Sequence, residues 1–150
     1  MSTNAGTYQY DGAAWQRIAA GVNRTQDIAL TTDGDVFVVT RGNPGGRVLR
    51  LDGSSWSEML AVGRSGACYR YGSLNAIWAS ASDDIFVVGP TESCSYVDGV
   101  TVYHYDGTSW KNIGPWGSAE AMYTVWGSSS TDVFMGGSWG SIYLSLPNNP

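Results

Sequence analysis

The chain has 150 residues, enough for one domain with a substantial hydrophobic core. Its formal net charge of −5, with only 14% charged residues, argues against nucleic acid or an anionic membrane surface as partner. No apolar run approaches the ~20 residues of a membrane span, so no membrane insertion is expected. The N-terminus also lacks the basic and apolar regions of a signal peptide, so we expect either a cytoplasmic protein or one whose leader has been replaced. The low charge, the many Ser, Thr, Gly and Trp residues and the cysteine pair favour the second alternative.

Two short motifs recur in phase along the chain. The first is an apolar strand, a polar turn and a second strand opening with Asp-x-Phe, and its three Asp residues are 49 and 48 residues apart. They are Asp35, Asp84 and Asp132. The second motif is a strand, an Asp-Gly turn and a tryptophan, with turns at 11–12, 52–53 and 106–107 followed by Trp15, Trp56 and Trp110. Repeats of this length made only of short strands are typical of propeller blades.

We therefore predict an all-β fold with about three four-stranded antiparallel blades, which form an incomplete ring on their own. Residues 1–150 make a single segment, with blade units at 7–20 (partial), 27–62, 74–113 and 122–146 (partial). Propeller rings usually have ~4–8 blades, so a lone chain would leave two apolar blade faces open. The chain is expected either to associate with copies of itself, a dimer giving six blades, or to be a piece of a longer propeller.

The two motifs together resemble the degenerate propeller repeats of large secreted or cell-surface proteins of myxobacteria and their relatives. The residues that carry this resemblance are Val125-Trp126-Gly127-Ser128-Ser129-Ser130 before Asp132-Val133-Phe134, and Tyr105-Asp106-Gly107-Thr108-Ser109-Trp110. The resemblance covers nearly the whole chain. It implies a propeller fold and an extracellular or cell-surface location, but no activity.

A residue that recurs in every blade is expected to be structural, whereas a site should break the pattern. The recurring Asp residues are therefore assigned to turns and caps, since Asp side chains satisfy local backbone donors. Calcium binding at 33–35 is an alternative that lacks the spacing of a calcium loop. His104, the only histidine, aligns with Gln9, Arg50 and Ser145 and is expected on a solvated strand face.

Two cysteines, Cys68 and Cys94, break the repeat in the second full blade. The predicted hairpin at 74–89 places both cysteines beyond the same end of the hairpin. They are therefore expected either to form a disulfide or to remain unpaired as small apolar side chains. Their loops, 63–71 and 90–98, are rich in Tyr, Arg and acidic residues. Such loops suit carbohydrate or protein recognition, although the tyrosines could instead pack around the cysteines. The candidate ligand-binding residues on this loop face are Arg64, Tyr69, Arg70, Tyr71, Glu92, Tyr96, Trp116 and Trp139.

The first hypothesis is a non-catalytic binding module, lectin-like or protein-binding, that uses the loop face around Cys68 and Cys94. The alternative is a structural or assembly unit whose blade edges meet copies of itself or the rest of a longer chain. A propeller hydrolase would need a cluster of carboxylates on the axis-lining strands, which carry mainly apolar residues. The sequence has neither a catalytic triad pattern nor metal-ligand spacing, so no catalytic residue, metal or cofactor is predicted.

Overall fold

A computed structural model of the chain describes residues 6–41, 45–62, 73–89, 101–114 and 121–145. In these ranges the chain forms thirteen β-strands and a 3₁₀ helix at Ser138–Gly140. The strands are β1 (Gly6–Tyr10), β2 (Trp15–Ala20), β3 (Thr25–Leu30), β4 (Val36–Thr40), β5 (Gly46–Asp52), β6 (Ser55–Val62), β7 (Ala76–Ala81), β8 (Asp84–Gly89), β9 (Thr101–Tyr105), β10 (Trp110–Asn112), β11 (Met122–Ser129), β12 (Asp132–Gly137) and β13 (Ile142–Ser145).

The strands form four antiparallel sheets in which neighbours along the chain pair with each other. Sheet I contains β1 and β2, sheet II contains β3 to β6, sheet III contains β7 to β10, and sheet IV contains β11 to β13. The all-β prediction is confirmed. Within the described residues the sheets stay open and do not close into a ring.

Sheet III is buried on both faces, and this explains the unbroken apolar run on β8. Alternate side chains of a strand point to opposite faces. Ile85 and Val87 enter one hydrophobic core together with Phe37 of sheet II. Phe86 enters a second core together with Val133 of sheet IV. Sheet III is thus the middle layer of a II–III–IV stack.

The first strands of these three sheets are neighbours and are tied by side-chain hydrogen bonds. Asp27 on β3 accepts the backbone N–H of Ile77 on β7 at 3.0 Å. Asn75, just before β7, donates its side-chain amide to the carbonyl oxygen of Met122 on β11 at 2.7 Å. These two polar bonds connect sheet II to sheet III and sheet III to sheet IV.

A glycine allows the close approach of sheet IV to sheet III. A Cβ atom at Gly127 would lie 2.7 Å from the indole ring of Trp78 and 2.9 Å from the carbonyl oxygen of Asp132. Trp78 packs against the core between these sheets. The large Trp78 side chain therefore requires the smallest residue at the facing position.

The Asp-Gly turns have the local role that the sequence predicts. Asp11 accepts the backbone N–H groups two and three residues further on, both at 2.8 Å, and Asp106 does the same at 3.0 and 2.9 Å. The glycines that follow have φ of 98° at Gly12 and 84° at Gly107, a region that favours glycine. The backbone N–H donors lower the pKa of Asp11. The Lys111 ammonium, and then the same kind of backbone donors, lower the pKa of Asp106 well below its usual range.

The strand pairing corrects the alignment of the last repeat by one residue. Phe37 lies opposite Arg50 and Phe86 lies opposite His104, while Phe134 lies opposite Leu144. Leu144, and not the predicted Ser145, therefore occupies the position of Arg50 and His104. The apolar alternation of this short strand is compatible with both alignments, so only the hydrogen-bonded ladder decides between them.

Candidate functional site

Most of the predicted ligand-binding residues lie outside the described part of the chain. These are Arg64, Tyr69, Arg70, Tyr71, Glu92, Tyr96 and Trp116, and the same holds for Cys68 and Cys94. The predicted loop face and the predicted disulfide therefore stay predictions.

Trp139 is the one member of this set that the structure describes. Its side chain is 94% exposed, and it lies in the 3₁₀ turn that joins β12 to β13. The backbone there has φ 61° and ψ 18°, which is unusual for a bulky residue. The turn is held by backbone bonds, including Ser138 N–H to the carbonyl oxygen of Ala121 at 2.9 Å. An indole is thus presented to solvent by a constrained turn.

The recurring Asp at the start of the second strand carries a polar cluster in each complete sheet. In sheet III, Nε2 of His104 donates to Oδ1 of Asp84 at 2.7 Å, and the Ser80 hydroxyl donates to Oδ2. The imidazole also stacks on Phe86, with ring centroids 4.3 Å apart. His104 is therefore a partly buried, partnered residue, and the expectation of a solvated surface histidine is wrong.

Sheet II carries an equivalent cluster, in which Arg50 takes the place of His104. Arg50 Nη2 donates to Oδ1 of Asp35 at 2.8 Å, and the guanidinium lies 6.0 Å from the centre of the Phe37 ring. The hydroxyl of Thr31, four residues before Asp35, accepts the backbone N–H of Asp35 at 3.1 Å. The repetition of the cluster in two sheets indicates that it is an element of the fold.

The arrangement around His104 differs from that of a serine hydrolase. A catalytic serine is activated by a hydrogen bond to the imidazole, whose other nitrogen is held by the carboxylate. Here the Ser80 hydroxyl bonds to Asp84 instead, so the carboxylate lies between the hydroxyl and the imidazole. This geometry orients His104 but does not prepare Ser80 as a nucleophile.

Sheet IV has only part of this cluster. The Ser128 hydroxyl donates to Oδ2 of Asp132, as Ser80 does to Asp84. The position that holds Arg50 or His104 is occupied by Leu144, which is 56% exposed. Among the described residues, no cationic side chain pairs with Asp132.

The outer side of sheet IV carries a row of apolar side chains, partly or largely exposed, which we call the C-terminal open face. It consists of Trp126, Phe134, Ile142 and Leu144. Phe134 is the central member, because it pairs with Trp126 on one side and with Leu144 on the other. Trp126 is 60% exposed and Ile142 is 71% exposed.

The opposite end of the stack is only half covered. Sheet I lies against the outer strands of sheet II, where Trp56 Nε1 donates to the carbonyl oxygen of Ala20 at 3.0 Å. Further inward, Ile28 and Leu30 on β3 are 57% and 67% exposed. We call Ile28, Leu30 and the adjoining cleft the N-terminal open face. The cleft has a volume of about 260 Å³ and is lined by Gly6, Thr7, Gly21, Val22, Thr25, Ile28, Val38 and Trp56.

The sequence matches no protein-family model and no curated protein. In the described ranges, no group of three or more His, Cys, Asp or Glu side chains could hold a metal ion. Those ranges also contain no helix with the length and apolarity needed to cross a membrane.

The partly buried position of the Asp84 cluster predicts a difference between two equivalent Asp residues. Asp84→Ala leaves a partly buried imidazole and a hydroxyl without their acceptor, and we expect a loss of about 1–3 kcal/mol in the free energy of unfolding. Asp132→Ala removes only the Ser128 partner at an exposed turn and should lose less than about 1 kcal/mol. Urea unfolding of both variants tests this, and equal losses would contradict it.

Proposed function

We propose that the chain is a structural assembly unit, a run of consecutive β-propeller blades whose two open faces bind further β-sheets. The observation that carries the proposal is a junction between sheets that occurs twice inside the chain. Each junction joins one side of a sheet to the opposite side of the next sheet. At the two ends of the stack, the corresponding sides of sheets II and IV expose apolar side chains.

Residues at equivalent positions on one side of each sheet support the proposed assembly function. Ile77 of sheet III and Val125 of sheet IV face the preceding sheet and are 4% and 6% exposed. Strand pairing places Ile28 at the same position of sheet II, opposite Val38. Ile28 is nevertheless 57% exposed, because the two strands of sheet I cover only the outer part of sheet II.

The other side of the sheets follows the same pattern. Phe37 and Phe86 face the following sheet and are 0% and 4% exposed. Phe134 has the equivalent position in sheet IV, where no described sheet follows, and its neighbour Trp126 is 60% exposed. Burying a large apolar side chain stabilises by roughly 1.5–3 kcal/mol, so each open face could contribute several kcal/mol to association. Exposed apolar rows of this kind are typical of interaction surfaces.

Association through the open faces should be measurable by light scattering on a sizing column over a range of protein concentrations. We expect the molar mass to rise above the 16.0 kDa of one chain. Ile28→Ser and Trp126→Ser should each lower the association constant at least ~10-fold, since each removes apolar contact area. Ile113→Ser alters an exposed isoleucine away from both faces and serves as the matched control. A folded wild-type chain that stays at 16.0 kDa throughout would contradict the proposal.

A second candidate function is ligand binding at the loop face, which Trp139 alone favours among the described residues. An exposed indole on a constrained turn is a suitable stacking surface for a sugar ring. A glycan-array screen tests this, and Trp139→Ala should remove any binding that is detected. Trp15→Ala, an exposed tryptophan on sheet I, is the control. Binding that survives Trp139→Ala would rule out this residue as the contact.

A further inference from the structure

We propose that the partner of the open faces is a second copy of this chain, joined to the first through a shared β-sheet. In this sheet, β11 and β12 of one copy lie beside β1 and β2 of the other. The inference rests on the proposed assembly function and adds the identity of the partner and the pairing of strands. Three observations lead to it.

The first observation is that sheets I and IV, as described, are incomplete in complementary ways. In sheet I the Tyr10 hydroxyl donates to Gly12 O at 3.0 Å, and its ring lies 5.5 Å from Trp15. The Tyr105 hydroxyl in sheet III makes the same bond at 2.9 Å, and its ring lies 5.1 Å from Trp110. Sheet I therefore corresponds to the third and fourth strands of a complete sheet. Sheet IV corresponds to the first three, so β1 and β13 are the same strand of the repeat.

The second observation is the position of the cleft. It lies where the first two strands of a complete sheet would cover sheet II, and Ile28 and Val38 line it. The equivalent residues are Ile77 and Val87 in sheet III, and Val125 and Met135 in sheet IV. They are buried against the first two strands of the preceding sheet. The strands β11 and β12 of another copy fit this position, since they are the first and second strands of a sheet. They would bring Trp126 and Phe134 to the uncovered Ile28 and Leu30.

The third observation concerns Asp132, which has no third-strand partner equivalent to Arg50 or His104 among the described residues. The third strand supplies Arg50 to Asp35 and His104 to Asp84. On β13 the same position holds Leu144, whereas on β1 it holds Gln9, two residues before the Asp-Gly turn as Arg50 and His104 are. If β1 of a second copy replaces β13 beside β12, the Gln9 amide comes within reach of the Asp132 carboxylate. The missing polar partner is then restored.

Two copies can form this shared sheet twice. Each copy offers β1 and β2 to its partner and accepts the same hairpin in return, so both open faces are covered in one closed dimer. Each copy then contributes sheet II, sheet III and half of each of two shared sheets. Two copies give six sheets, which falls within the ~4–8 blades of propeller rings. The four-residue β13 is released in exchange for the five-residue β1.

A mixing experiment tests the head-to-tail order of the copies. Leu30→Asp damages only the N-terminal open face, and Trp126→Asp damages only the C-terminal one. Either variant alone should have the mass of one chain, while their mixture should form a dimer, since one intact junction remains between the two different copies. Circular dichroism establishes that both variants are folded. A mixture that stays monomeric while the wild type associates would overturn the proposal and leave the assembly function standing.

Disulfide trapping tests the proposed pairing of strands. In a background with Cys68→Ser and Cys94→Ser, chains with Gln9→Cys are mixed with chains carrying Phe134→Cys. Opposed residues of antiparallel strands have Cα atoms about 4.5–5.5 Å apart, which a disulfide can span. Oxidation should give a cross-linked dimer, whereas Met135→Cys in place of Phe134→Cys should not, because its side chain points to the other face. Dimers that form without this cross-link would overturn the shared sheet, and a wild type that never associates would overturn both proposals.

Discussion

A β-sheet with apolar side chains on both faces has to be covered on both faces, and this constraint determines the arrangement of the chain. Sheet III meets it fully, with Ile85 and Val87 in one core and Phe86 in the other. Sheets II and IV each meet it on the side next to sheet III. Their other sides expose Ile28 and Trp126, so the constraint is unmet at both ends of the stack.

The contacts between sheets combine fixed polar positions with variable apolar ones. The Asp at the start of the second strand is present in sheets II, III and IV, but its partner changes from Arg50 to His104. The size of the packed side chains varies as well. Between sheets III and IV, Trp78 faces Gly127, whereas at the equivalent positions between sheets II and III the core contains Ala29 and Ala79. Each junction therefore adjusts its volume locally while the backbone arrangement stays the same.

The sequence predicted the fold class and the turns well, because these depend on local chemistry. The period of the Asp-x-Phe motif and the Asp-Gly pairs was sufficient to locate the strands and to assign Asp11 and Asp106 to turns. The sequence did not predict the Asp84–His104 pair, because the apolar alternation suggested an exposed face, whereas the imidazole stacks on Phe86 and bonds to Asp84 within its own sheet. A signal was present, since His104 and Arg50 each lie two residues before an Asp-Gly turn. The bonds from Asp27 and Asn75 to neighbouring sheets depend on tertiary position and leave no local pattern.

The exposure of both ends of the stack is tested most directly by amide hydrogen exchange of the wild-type chain at low and high protein concentration. Exchange reports how far each strand is protected by packing and pairing. We expect slow exchange on β8 at both concentrations, because sheet III is covered on both faces within one chain. Amides of β3 and β11, next to the open faces, should exchange faster in dilute solution and become protected as the concentration rises. If β3 and β11 are as well protected as β8 in dilute solution, and their protection does not change with concentration, the ends of the stack are not covered by association.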